Sequence, residues 1–68
     1  MNYFEWSKEY EKTARELDTV IERLKKQKKG KREGEKKELS DKIALYQSYR
    51  NECVQISNHL MQRHLGVA

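Results

Sequence analysis

A chain of 68 residues with 15 lysines and arginines against 11 acids has a formal charge of +4, and it is 38% charged and only 35% hydrophobic. That makes one small domain, spanning 1–68, and a domain this short rarely gains more than about 3–5 kcal/mol from its core without disulfides, a metal or self-association. A single cysteine excludes an internal disulfide framework, and the longest apolar run, Ile43-Ala44-Leu45, excludes a membrane-spanning helix.

Proline is absent and the charged residues are mostly the helix formers Glu, Lys and Arg, which points to an all-α fold. The regular spacing of the apolar residues separates the chain from a disordered one of similar charge. Met1-Asn2-Tyr3-Phe4-Glu5-Trp6 has neither the basic nor the apolar region of a secretory leader. The lone thiol, Cys53, fits a reducing, cytoplasmic setting, and its helical spacing among apolar neighbours reads as a core position.

Asn2 and Glu5 stand three apart, as in a capping box, with Asn2 placed to accept from a first-turn amide. From there Tyr3, Trp6, Tyr10, Ala14, Leu17, Val20, Ile21 and Leu24 recur at steps of three and four. As a heptad, position a holds Tyr3, Tyr10, Leu17 and Leu24, and position d holds Trp6, Thr13 and Val20. Ala14 and Ile21 widen the stripe at e. The spacing predicts an amphipathic helix over about 3–28, with Glu11–Arg15 and Glu22–Lys26 as supporting ion pairs. Lysines 25, 26, 28 and 29 suit the negative end of its dipole, and Gly30 stands where a left-handed C-cap belongs.

The segment from Lys25 to Lys37 has no apolar residue, two of the three glycines and eight basic residues against two acids. Glycine costs about 1 kcal/mol against alanine inside a helix, so Gly30 and Gly34 mark a basic turn over about 29–34. Its net charge of +6 contrasts with −2 before it and zero after it.

A second helix is expected over about 35–65, starting near Gly34-Glu35 in preference to Ser40-Asp41. Its seam runs Leu39, Ile43, Tyr46, Tyr49, Cys53, Ile56, Leu60, with Leu39, Tyr46, Cys53 and Leu60 at a, Tyr49 and Ile56 at d, and Ile43 at e. Gly66 follows Leu65 as a C-cap, leaving Val67 and Ala68 as a tail. The second seam is offset by one residue from the heptad phase of the first, and the offset falls in the glycine stretch. That argues for an antiparallel two-helix, coiled-coil-like hairpin over one continuous rod. Folding between Lys31 and Arg32 sets Leu24 against Leu39, Val20 against Ile43, Leu17 against Tyr46, Ala14 against Tyr49 and Tyr10 against Cys53.

Phe4, Val54, Met61 and Leu65 are apolar, lie off these seams and gather toward the open end. They form the candidate partner-binding edge. A second copy is the expected partner, since two hairpins related by a twofold axis make a four-helix bundle.

The chemistry-bearing residues point away from catalysis. His59 and His64 are five apart, about 140° around a helix, so they cannot share a metal as an i,i+4 pair does. Cys53 and His59 make a poor dyad for the same reason, no Ser-His-Asp set arises from local spacing, and no GK[ST] follows the glycines. No catalytic residue, cofactor, metal or small-molecule substrate is expected. The expected function is a non-enzymatic protein–protein interaction and oligomerisation module. The alternative is a nucleic-acid accessory protein, of the kind a mobile element or phage encodes. It would bind phosphates through Lys25, Lys26, Lys28, Lys29, Lys31, Arg32, Lys36 and Lys37.

Overall fold

A computed structural model describes residues 2–66, and within them the chain forms two helices, α1 (Tyr3–Lys28) and α2 (Glu33–His64), packed against each other as a hairpin. The body measures 50 × 17 × 14 Å. Val67 and Ala68, expected as a tail, lie outside the described residues.

The ends of both helices follow from local chemistry. At the start of α1 the Asn2 Oδ1 accepts from the Phe4 amide at 2.9 Å, satisfying one of the free donors of the first turn. At its other end Lys25, Lys26 and Lys28 face the dipole's negative pole. Gly66 closes α2 with φ 75°, the left-handed conformation glycine adopts without penalty, and its amide donates to the Arg63 carbonyl at 3.1 Å.

The turn departs from expectation. Gly30 is not a left-handed cap, because Gly66 alone among the described residues has a positive φ. The C-cap is Lys29 in ordinary right-handed geometry, and the Lys29 and Lys31 amides donate to Lys26 and Lys28 carbonyls. The chain reverses through residues 29–32, and α2 begins at Glu33, two residues earlier than expected. Gly34 therefore lies within the first turn of α2, and a Cβ at either glycine would meet nothing within 4 Å. The Lys36 amide donates to the Arg32 carbonyl at 2.8 Å, and Glu33 and Glu35 sit where the dipole favours acids.

The register agrees with the expected fold axis to one residue. The Ser57 Oγ donates to the Ser7 carbonyl at 2.9 Å across the helix pair, where the axis placed Ser7 opposite Ile56. The centre of the seam is different. On α1 the buried residues are Ser7, Ala14 and Ile21, one per heptad, flanked by partly buried Tyr10, Leu17 and Leu24. On α2 they are Ile43, Ser57 and Leu60, with Leu39, Tyr46, Arg50, Cys53, Val54 and Met61 partly buried. The expected d positions Trp6, Thr13, Tyr49 and Ile56 are exposed, and of the d residues only Val20 is partly covered.

The reason is steric. Two helices approach closely where the residues between them are small, and Ser7, Ala14 and Ser57 allow that; an indole in the same place would hold the backbones apart. The buried hydroxyls cost little because both are paired, with Ser7 Oγ donating to the Phe4 carbonyl at 2.9 Å. The expected Glu11–Arg15 and Glu22–Lys26 pairs give way to Lys8–Glu11, Glu22–Lys25 and Asp18–Arg50. In antiparallel packing the seven-residue lines beside the seam face their counterparts, so the hairpin has two distinct long sides.

Candidate interaction surface

One long side carries Phe4, Glu11, Asp18 and Lys25 from α1 and Ser40, Gln47, Val54 and Met61 from α2. It is fastened across the seam. Arg50 Nε donates to Asp18 Oδ1 at 3.0 Å, and Arg50 Nη1 donates to Asn51 Oδ1 at 3.3 Å. Around this pair lies a shallow, mostly polar notch lined by Asp18, Ile21, Glu22, Lys25, Gln47, Arg50 and Asn51. Toward the open end the Phe4 ring stands 5.4 Å from the His64 ring, with the Lys8 ammonium 5.4 Å from its centroid. Phe4 is thus engaged on two sides by its own chain.

The other long side carries Trp6, Thr13 and Val20 from α1 and Tyr49 and Ile56 from α2, with Leu45 one turn before Tyr49. Trp6 is 41% exposed, Leu45 50%, Tyr49 46% and Ile56 40%. The Thr13 hydroxyl donates to the Glu9 carbonyl at 3.0 Å, so it offers no unpaired donor to this surface. Tyr46, partly buried in the seam, braces Tyr49 edge-on, with centroids 6.4 Å apart and planes at 62°. No inter-helix ion pair is found here among the described residues.

The residues expected as a partner-binding edge divide. Val54 and Met61 are partly buried beside the seam, so some of their apolar surface is already covered within the hairpin, while Phe4 and Leu65 are exposed. Sequence reasoning missed Leu45 as a surface residue and placed Trp6, Tyr49 and Ile56 in the core. The signal that separates the two lines was present in the small residues Ser7 and Ala14, one heptad apart on α1, and Ser57 opposite Ser7 on α2, which mark the close approach.

Six of the eight basic residues of the turn are exposed; Lys28 and Lys36, in the seam positions nearest the turn, are partly buried. Long stems of that kind cover apolar surface while the ammonium stays in water. Among the described residues only Lys25 of the eight pairs with a carboxylate, Glu22 at 3.8 Å. The described residues hold no group of three or more His, Cys, Asp or Glu side chains able to hold a metal ion, and no helix long and apolar enough to cross a membrane. Cys53 is a free thiol, partly buried in the seam.

No protein family, curated protein or solved structure matches this chain, so the reading of its surface rests on its own residues.

Proposed function

We propose that this chain is a small non-enzymatic module that works by docking apolar helix faces, with self-association into a four-helix bundle as its basic act. One observation carries the reading. Among the described residues, seven large apolar side chains are exposed (Tyr3, Phe4, Trp6, Leu45, Tyr49, Ile56 and Leu65) against four buried apolar residues. A two-helix domain with so small a core is marginal alone, and covering an exposed apolar side adds burial at about 25 cal/mol per Å². Sedimentation equilibrium over a concentration series tests this: a monomer–dimer equilibrium is expected, with helicity rising as dimer forms. A stable, fully helical monomer at high micromolar concentration refutes it.

The basic turn supports a second reading, phosphate binding, because seven of its eight cations lack a carboxylate partner among the described residues. Lysines neutralise charge without reading base edges, so binding should be insensitive to sequence. About four to six phosphate contacts per turn correspond to a slope of about −3.5 to −5.5 in log K against log salt on B-DNA. Replacing Lys28, Lys29, Lys31 and Arg32 with glutamine should abolish that binding and leave helicity nearly unchanged. Fluorescence anisotropy on labelled DNA and RNA at about 50 and 200 mM salt measures it. No binding at the lower salt leaves the turn a solvated connector.

A further inference from the structure

We infer that the side bearing Trp6, Val20, Leu45, Tyr49 and Ile56 is where a second copy of this chain docks, with the two hairpins antiparallel and their basic turns at opposite ends. The inference rests on the self-association reading above and specifies its surface and geometry.

The placement of the apolar residues is self-complementary. Trp6 and Val20 each lie one heptad from Thr13, and Leu45 and Ile56 are centred between Arg50 and Asn51. Ser7 is level with Ser57 through its hydrogen bond, so six residues further Thr13 is level with Asn51. The two midpoints therefore coincide along the hairpin. A twofold axis crossing the side at that level and perpendicular to its length lays α1 on the partner's α1 and α2 on the partner's α2. It sets Trp6 against the partner's Val20 and Ile56 against the partner's Leu45, each contact occurring twice, as an isologous interface requires. Tyr49 falls beside the axis, already held by Tyr46. Thr13 sits on the axis with its hydroxyl satisfied by its own helix.

Charge is divided on this face and favours opposed turns. Glu38 and Arg63 are equidistant from the axis on α2, so each meets its opposite on the partner. Glu52, on the Leu45 line beside the axis, approaches its own copy, and Glu9 approaches the partner's Glu16; all three are exposed, so water and salt screen these contacts. Parallel pairing would set two turns of net charge +6 side by side, whereas antiparallel pairing holds them apart by the length of the body. With a body 50 Å long and 17 Å across, the side has room for a docking interface of the standard size class, roughly 800 Å² per partner.

Two measurements decide it, both on the full chain. The first is pulsed electron–electron distance measurement with a spin label on Gly30→Cys in a Cys53→Ser background, a site where an added side chain meets nothing. Seventeen residues at 1.5 Å on each side of the axis predict a label separation of roughly 50 Å. The second is sedimentation of Trp6→Glu and Ile56→Glu, each expected to weaken the dimer roughly 30-fold or more, with Asp18→Asn on the opposite side as an unchanged control. A dimer with closely spaced labels overturns the antiparallel arrangement. A dimer indifferent to both glutamates overturns the choice of side while leaving self-association intact. A monomer at every concentration removes both readings. Should the glutamate variants fail to fold, the label separation in the otherwise native chain still decides.

Discussion

The two long sides of the hairpin are built from equivalent heptad lines, yet they end in opposite states. On one, Asp18 and Arg50 close the seam with a charged hydrogen bond and Phe4 lies against His64. On the other, Trp6, Tyr49 and Ile56 are left uncovered, and no polar residue bridges the helices there among the described hydrogen bonds. A side that fastens itself gains little from a partner, because a docking surface would have to desolvate its charges. The bare side gains free energy from every apolar group it covers. The difference shows that an amphipathic helix can carry two apolar lines, of which the intramolecular pairing uses only one.

The largest expected effect breaks the comparison at a shared residue type. Ile21 is 4% exposed in the seam and Ile56 is 40% exposed on the bare side. Ile21→Ala should cost about 2–5 kcal/mol, enough to unfold so small a domain. Ile56→Ala should cost less, about 1 kcal/mol in dilute monomer, since much of its surface already faces water. Chemical denaturation at low protein concentration checks both, and equal losses would mean that Ile56 already packs inside the hairpin.

A smaller effect is expected where the seam is polar. Ser57→Ala removes the one hydrogen bond that joins the helices inside the seam among the described residues, and should cost about 0.5–1.5 kcal/mol. Ser57→Leu should cost more, about 1–3 kcal/mol, because it overpacks the close approach. If leucine is the milder change, the helices are not held close by small residues, and the denaturation midpoints would show it.

The smallest effect belongs to the fastened side. Both side chains of the Asp18–Arg50 pair are open to solvent over a large part of their surface, and solvent limits such pairs to about 0.2–1 kcal/mol. Asp18→Ala should therefore shift thermal stability only slightly, and less so in high salt. A large, salt-independent loss would make this pair, rather than the seam, the joint of the hairpin.

Much of this was legible in the sequence, for physical reasons that act locally. Asn2 caps α1 as its side chain dictates, Gly66 takes the left-handed conformation that glycine tolerates best, and the apolar-free stretch around Gly30 reverses the chain because it has nothing to bury. The all-α hairpin and its register follow from such signals, since each depends on a few neighbouring residues. The mechanism at Gly30 did not follow: composition identified the turn, while its geometry needs no glycine at all.

Which apolar line becomes the core was decided only by packing. Hydrophobicity alone ranks Trp6, Tyr49 and Ile56 above Ser7 and Ser57, and heptad counting accordingly put the large residues inside. The separation of two helices is set by the side chains that must fit between them, a property of the pair and of neither strip of sequence alone. Serine and alanine at Ser7, Ala14 and Ser57 let the backbones approach, and while the Ser7 hydroxyl is paired within α1, the Ser57 hydroxyl finds its partner only once both helices are in place. The aromatic line then turns outward, and the surface for any partner comes into being with the tertiary fold.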